Sequence, residues 1–258
     1  MSLPSAAPAT RQLRVEMLVV LGISLGQSAV YSLLSLINKL TLPIALNKQT
    51  TSMNTSATPD RPWLDLAYQA AGLVFPLMPV ALVLYLLWVF HRPDGGPFRA
   101  IGFDLRAPGK DLGWGFLTFA GIGVAGLAFY FAARELGINT SISAANLTAA
   151  WWSIPVLLLR AAMNGILEEV VMVGYLFTRW RQGGGGVVAI VVGSALIRGG
   201  YHLYQGFGGF IGNAVMGVVF GLVYLRTKRV MPLVVCHTLL DIFAFVGYAL
   251  LKPYIAWL

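Results

Sequence analysis

The stretch Ile166–Gly174, with the sequence Ile-Leu-Glu-Glu-Val-Val-Met-Val-Gly, places two adjacent carboxylates inside an otherwise apolar segment. The segment predicts a membrane-spanning helix, where a charged side chain costs about 3 kcal/mol on insertion scales. Two acidic residues would not persist there without partners or a chemical role. Because His202, His237 and Asp241 also lie in hydrophobic surroundings, we expect acids and imidazoles from separate helices to converge inside the membrane.

The composition is that of a polytopic membrane protein. The chain has 258 residues, of which 57% are hydrophobic and 11% charged, and its mean hydropathy is +0.74. Soluble domains carry about 25% charged residues. The apolar runs have the length of membrane helices and lack the short alternating pattern of barrel strands. We therefore predict an all-α membrane helix bundle of about seven to eight transmembrane helices around an intramembrane polar cavity.

The chain divides into apolar runs and polar connections without a second domain or an internal repeat. The predicted spans cover about 17–46, 64–90, 112–133, 153–180, 187–203, 213–225 and 232–251. The first and fourth runs are long enough to bend, and Pro76 and Pro79 predict a kink in the second. We expect a single membrane domain over 1–258, with generic helices in 1–150 and the catalytic core in 151–245.

Basic residues are distributed unevenly between the two sides of this layout. The segments on the N-terminal side hold Arg11, Arg14, Arg92, Arg99, Arg106, Lys110, Arg179, Arg181, Arg226, Lys228 and Arg229, whereas the opposite segments hold only Lys48, Arg61, Arg134 and Lys252. Cytoplasmic loops are rich in Lys and Arg. The pattern predicts a multi-pass protein of the cell membrane with a cytoplasmic N-terminus and an external C-terminus.

The net charge of +8 follows from this loop bias. Nucleic acid is not an expected partner, because no basic run is interleaved with aromatic residues. The single cysteine, Cys236, allows no disulfide within the chain, and a thiol among Leu and Val is usually an inert small hydrophobe. The expected partners are the lipid bilayer and a peptide substrate held in it or on it.

Helical periodicity gives the two glutamates different surroundings. Glu169 lies about 100° around the helix from Glu168, so one can face a water-filled cavity while the other pairs with an arginine or a polar group. Asn164 shares a face with Glu168, four residues away. We expect this division of labour within the pair.

The later segments add two further pairs on shared helix faces, Arg198 with His202 and His237 with Asp241. A carboxylate with a histidine can activate water as a general base. A second histidine with an aspartate can bind a metal or donate hydrogen bonds to a developing oxyanion. Both possibilities favour hydrolysis.

The order of these residues resembles the CPBP intramembrane peptidases, a family that includes CAAX prenyl endopeptidases of the Rce1 type and bacterial Abi proteins. The resemblance rests on Glu168-Glu169 followed by Gly174-Tyr175-Leu176, on His202 in a later helix, and on His237-Thr-Leu-Leu-Asp241. It covers about residues 150 to 245. It implies an intramembrane endopeptidase, a hydrolase acting on membrane-embedded, membrane-anchored or lipidated peptides, and by analogy it implies cleavage near the cytoplasmic leaflet.

The resemblance also implies roles for these residues. Glu168 would be the water-activating base with His202 assisting, and His237 and Asp241 would stabilise the oxyanion or complete the site. A glutamate mechanism needs no cofactor. A metal mechanism would place a divalent ion such as zinc among Glu168, His202, His237 and Asp241.

Two positions depart from the family pattern. The motif Glu-Glu-x-x-x-Arg has Val173 at its last position, and the motif Phe-x-x-x-His has Arg198 at its first. We hypothesise that Arg198 supplies the guanidinium that pairs with Glu169. The departures also leave two other classes open, a catalytically degenerate scaffold or immunity-type protein and a proton- or ion-coupled transporter. The absence of inverted repeats counts against the transporter.

Four other features have simpler interpretations. Trp151 and Trp152 are typical of an interfacial aromatic belt. We expect Arg160 to reach an interface or to pair with Asp65 or Asp111. Asn213 is expected to cap the sixth predicted span. Tyr201, Tyr204 and Gln205 flank His202 and could line the cavity, but aromatic residues near membrane edges are normally belt residues.

Overall fold

The computed structural model describes residues 10–90 and 95–254, with only the backbone of Phe90. The described residues form an all-helical bundle, as predicted, and their sheet structure is limited to two three-residue strands. Arg92 of the charge count lies outside the described residues.

The helices follow one another with few long connections. In chain order they are α1 (Thr10–Gly22), α2 (Leu25–Leu40), α3 (Pro62–Val74), α4 (Met78–Phe90), α5 (Gly96–Ala100), α6 (Pro108–Glu135), α7 (Ser153–Glu169), α8 (Leu176–Gln182), α9 (Val187–Gly200), α10 (Phe207–Thr227) and α11 (Met231–Leu251). Short 3₁₀ turns cover Leu46–Lys48, Phe75–Leu77 and Leu203–Gln205, and a π-helical turn, Val170–Tyr175, joins α7 to α8. The strands β1 (Thr50–Ser52) and β2 (Ser141–Ser143) pair in parallel.

Several helices are suited to crossing a membrane. By length and composition these are Pro62–Val89, Pro108–Glu135, Phe207–Thr227 and Met231–Leu251. The helices α1 and α2 qualify together as one broken span bent by 51°, which agrees with the bend expected in the first run. The kink expected near Pro76 coincides with a 3₁₀ turn. Since α9 is shorter, the total of seven to eight spans stays a prediction.

The bundle has two distinguishable ends. The strand end (residues 41–61, 136–152 and 201–206) contains both strands, and the Gly208 amide donates to the Ile138 carbonyl there at 3.0 Å. The basic end (residues 95–107, 183–186 and 226–230) contains the turn between α10 and α11. There the Arg229 guanidinium pairs with the carboxylates of Asp104 at 2.9 Å and Asp111 at 2.7 Å.

The centre of the bundle is the segment formed by α7 and the π-helical turn. All six residues of that turn are buried. Gly165 brings α7 close to α11, because a Cβ at this position would lie 2.8 Å from Thr238 Oγ1 and 3.2 Å from the Val234 carbonyl oxygen. This contact sets how the glutamates of α7 face the histidine of α11.

Two interpretations of single residues need correction. Asn213 was expected at the start of a helix, but α10 begins at Phe207 and Asn213 lies within it, donating to the Gly209 carbonyl at 2.9 Å. Gly208 and Gly209 are buried in the first turn of α10. Their packing against neighbouring segments keeps these glycines helical, so the helix starts before Asn213. Trp152 is 3% exposed while Trp151 is 76% exposed, so only Trp151 is free to occupy an interfacial belt.

Candidate active site

The glutamate pair lies at the junction of two helix types. Glu168 and Glu169 are the last residues of α7, directly before the π-helical turn. The run Val170-Val171-Met172-Val173 contains three β-branched residues, whose restricted side chains lower helix propensity. Single-turn π-helices occur frequently at functional sites. Tight burial of this turn holds both carboxylates in a defined orientation.

Arg198 of α9 binds both carboxylates. Its Nη2 lies 2.8 Å from each oxygen of Glu169, and its Nη1 lies 3.1 Å from Oε2 of Glu168. The side chains of Arg198 and Glu169 are fully buried, and the guanidinium also lies 5.3 Å from the ring centroid of Phe220. The contact hypothesised between Arg198 and Glu169 is therefore present. It compensates a buried charge that would otherwise be strongly destabilising.

His237 of α11 is held between two carboxylates. Its Nδ1 lies 2.7 Å from Oε1 of Glu169, and its Nε2 lies 3.9 Å from Oδ1 of Asp241. The other oxygen of Asp241 accepts a hydrogen bond from Asn164 Nδ2 at 2.8 Å. Because Nδ1 is occupied by Glu169, Nε2 is the ring atom of His237 that remains for a substrate, a water or a metal.

Glu168 and His202 face each other across the site. The Tyr201 hydroxyl donates to Oε2 of Glu168 at 2.7 Å. His202 Nδ1 lies 3.0 Å from the Arg198 carbonyl oxygen, which can only accept. The proton therefore sits on Nδ1, and Nε2 of a neutral imidazole presents a lone pair.

A cavity of about 630 Å³ connects these groups. Glu168, His202, His237 and Asp241 line it together with Asn164, whereas Glu169 and Arg198 are fully buried behind it. The structure thus brings together all six residues selected from the sequence. It also separates the two glutamates as expected, one facing the cavity and the other paired with arginine.

The carboxylates and imidazoles also have the donor types of a metal site. Ligand atoms of Glu168, Glu169 and His237 lie within 4.8 Å of one another. Glu169 fits a metal poorly, since both of its oxygens accept from the Arg198 guanidinium and one also contacts His237. The remaining donors on the cavity are Glu168, His202, His237 through Nε2, and Asp241, and no three of them lie within that distance of one another among the described residues. These nitrogen and oxygen ligands suit zinc.

Tyr201 is the contact that the sequence interpretation missed. The sequence favoured a belt position for it over a place on the cavity, but it is 5% exposed and its hydroxyl binds Glu168. The available signal was its position three residues after Arg198, on the same side of the helix. Tyr204 and Gln205 also line the cavity.

Arg160 is not part of the site. Its Nη2 binds Gln69 Oε1 at 2.6 Å, and Gln69 Nε2 in turn lies 3.4 Å from Oδ1 of Asp65. The pairing expected with Asp65 is therefore indirect, and Asp111 pairs with Arg229 instead. Cys236 is fully buried, which agrees with its interpretation as an inert hydrophobe.

The segment that carries the site also resembles a known protein family. Residues 150–243 match the Rce1-like family, described as type II CAAX prenyl endopeptidase Rce1-like. This segment is Rce1-like. It begins just before α7 and ends after Asp241, so it includes every residue of the site. The resemblance to the CPBP intramembrane peptidases is thus confirmed over this segment, and what it supports there is a membrane protease of the CAAX endopeptidase type. No curated protein and no solved structure matches the chain.

Proposed function

We propose that the protein is an intramembrane endopeptidase in which Glu168 activates the attacking water. The observation that carries this proposal is the placement of Glu168 and His202 on one cavity with Asn164, His237 and Asp241, while Arg198 neutralises Glu169 behind it. A carboxylate needs a polar, water-filled space to act as a base within a bilayer. The substrate is a peptide held in the membrane or anchored to it by a lipid.

The reaction follows from the available atoms. A water between Glu168 and Nε2 of His202 gives a proton to the carboxylate as its oxygen adds to the scissile carbonyl carbon. His237 donates through Nδ1 to Glu169, so its Nε2 carries a proton in the imidazolium form, which the adjacent carboxylates of Glu169 and Asp241 favour. In that form Nε2 is placed to donate a hydrogen bond to the oxyanion. The proton on Glu168 then passes to the departing amine as the carbon–nitrogen bond breaks, which restores the base and leaves a carboxylic acid that loses its remaining proton to the amine or to water.

Arg198, Tyr201 and Asn164 have positioning roles in this proposal. Arg198 and Tyr201 both donate to Oε2 of Glu168, so Oε1 is the oxygen directed to water. Asn164 holds Asp241 beside His237. A divalent metal bound by Glu168, His237 and Asp241 would supply Lewis-acid stabilisation of the oxyanion in place of a hydrogen-bond donor.

The alternative of a catalytically degenerate scaffold rested on Val173, which stands where the family motif has an arginine. The structure weakens that argument, because Arg198 of α9 brings a guanidinium to Glu169 instead. The transporter alternative predicts ion flux in vesicles without cleavage of any peptide.

The test compares purified wild type with Glu168→Gln on a library of membrane-anchored peptides, with and without chelator. Glu135→Gln is the matched control, since the same change falls on an exposed residue at the end of α6. We expect cleavage by wild type and by Glu135→Gln, and a loss of at least about a hundredfold in Glu168→Gln, the usual scale of a general base. Full activity of Glu168→Gln would contradict the proposal, and chelator sensitivity would separate the metal from the glutamate mechanism.

A further inference from the structure

The cavity lies in one half of the bundle. On α6 the lining residues begin at Ile122 and end at Ala133, within the half nearer the strand end. On α10 they run from Gly208 to Met216, again the half that starts at the strand end. On α11 they begin at His237 and continue towards the C-terminus of that helix.

The connecting segments around the cavity show the same asymmetry. Loop residues that line it, Met53, Asn54, Asn139, Ile142, Ala144, Tyr204 and Gln205, all belong to the strand end or its strands. Among the described residues, none of those lining the cavity belongs to the basic end. Between Glu168 and the basic end, the space is filled by the buried residues of the π-helical turn. The cavity is therefore directed towards the strand end and closed towards the basic end.

The two ends also differ in charge. The basic end and the helix termini beside it hold Arg11, Arg14, Arg99, Arg106, Lys110, Arg179, Arg181, Arg226, Lys228 and Arg229, whereas the strand end and its helix termini hold Lys39, Lys48, Arg61, Arg134 and Lys252 among the described residues. The end with more Lys and Arg is the cytoplasmic one in most membrane proteins. This assigns the strand end to the opposite face.

We infer that the cavity opens to the non-cytoplasmic face and that its substrates are peptide segments presented from that face. The substrate part of this inference rests on the proposed function. It differs from the cytoplasmic opening that family analogy suggested, because a peptide arriving from the cytoplasm would meet the closed, basic end. The substrate class is thus a membrane-held peptide with its cleaved bond near the external leaflet, distinct from a lipidated C-terminus in the cytosol.

The walls near the strand end indicate the chemistry of that peptide. The side chains of Asn54, Gln205 and Asn213 are neutral amides, and the carboxyl and imidazole groups that line the cavity are those of Glu168, His202, His237 and Asp241. Neutral amides offer hydrogen bonds to a peptide backbone without selecting a charge. We expect uncharged segments to be preferred around the cleaved bond.

The sidedness is tested without reference to activity. In a Cys236→Ala background, which removes the single cysteine, Ala57→Cys marks the strand end and Leu105→Cys marks the basic end. Ala57 is exposed and Leu105 is 81% exposed. A membrane-impermeant maleimide is applied to bacterial spheroplasts before and after permeabilisation. We expect Ala57→Cys to react in intact spheroplasts and Leu105→Cys only after permeabilisation, and the reverse order would overturn the inference.

Cleavage in oriented vesicles then separates this inference from the proposed function. A fluorogenic peptide with a neutral apolar centre and a charged tag at each end cannot cross the bilayer. We expect right-side-out vesicles to cleave it and inside-out vesicles to leave it intact, with Glu168→Gln inactive in both. Cleavage confined to inside-out vesicles would overturn the inference. If neither preparation cleaves any peptide while the labelling is as expected, the sidedness stands and the endopeptidase proposal fails.

Discussion

Arg198 shows how a side chain can keep a role after its position in the sequence has changed. The family pattern has an arginine four residues after the second glutamate, where this chain has Val173. The guanidinium instead comes from α9 and reaches both oxygens of Glu169. The two departures together predicted this contact from sequence alone, because a buried carboxylate requires a cation wherever the fold can supply one.

The pairing of Arg198 with Glu169 predicts non-additive variants. Removing either partner leaves a buried charge uncompensated, which costs about 3 to 5 kcal/mol. We expect Arg198→Ala and Glu169→Ala to cause similar losses of thermal stability and activity, and the double variant to be little worse than either. Melting curves and cleavage rates of the three variants give the coupling energy. Losses that simply add would show that the two side chains act independently.

Tyr201 predicts a more local effect. Its hydroxyl donates to Glu168, and a hydrogen bond to a charged group contributes about 1.5 to 3 kcal/mol. We expect Tyr201→Phe to lower kcat about tenfold to a hundredfold with little change in KM or melting temperature. Tyr204→Phe is the control, since that hydroxyl accepts from Gln205 and contacts Met53 Sδ without touching a glutamate. Equal effects of both changes would argue against a positioning role for Tyr201.

At the scale of elements, the sequence predicted the strongly apolar helices but neither the two short strands nor the π-helical turn. The runs that became α6, α10 and α11 are long and continuous, so hydropathy located them. The strands β1 and β2 consist of Thr, Ser and Ile without an apolar alternation, and their pairing depends on two loops far apart in the chain. The π-helical turn arises from burial around a Val-rich segment, and such tertiary effects leave little trace in local sequence.

The contact of α7 with α11 predicts that a single methyl group disturbs the site. Replacing Gly165 with Ala gains up to about 1 kcal/mol in helix propensity, but overpacking costs about 1 to 3 kcal/mol. We expect Gly165→Ala to lower the cleavage rate, because the displaced α11 carries His237 away from Glu169. Gly121→Ala in α6 is the control, with nothing within 4 Å of the added Cβ. Unchanged activity of Gly165→Ala would show that the two helices tolerate separation.

The first helix is fastened to the core by a buried ion pair. Glu16 of α1 lies 2.8 Å from Nε of Arg179, which is fully buried, and also accepts from the Tyr175 hydroxyl. We expect Glu16→Ala to destabilise the protein by about 3 kcal/mol, since the arginine loses a close anion. Differential scanning fluorimetry measures the shift. Arg14→Ala, an exposed change on the same helix, should leave the melting temperature unaltered, and an equal fall in both would contradict the explanation.

At the scale of the whole molecule, the two ends differ in what holds them together. The basic end is joined by Arg229, which connects the segment before α6 to the turn before α11 through Asp104 and Asp111. Burial by itself would raise the pKa of Asp104, but the Arg106 amide and the Arg229 guanidinium outweigh it and lower that pKa below its ordinary 3.8. The strand end is joined instead by neutral hydrogen bonds, such as that between Thr51 and Thr140.

This difference predicts an acid-sensitive end. A carboxyl group with a lowered pKa in the folded state contributes stability that is fully present above its unfolded pKa of about 3.8 and is lost as the pH falls through the lower folded value. We expect Asp104→Asn to melt below wild type at neutral pH, and the gap between them to close only below about pH 3.8. Melting temperatures across a pH series measure it. A gap that does not depend on pH would mean that the charge of Asp104 contributes nothing.

The volume of the cavity has a consequence for the substrate as well as for the enzyme. At about 630 Å³ the cavity is large enough to hold several water molecules together with a peptide segment. A transmembrane peptide must unwind before a bond can be cut, and its freed amides and carbonyls then need hydrogen-bond partners that lipid does not provide. The polar side chains that line the cavity beside Glu168, such as Asn164, Gln205 and Asn213, would supply those partners. The rate at which a transmembrane segment is cleaved would then depend on how easily its helix unwinds more than on its particular side chains. Helix-breaking residues near the cleaved bond would increase that rate.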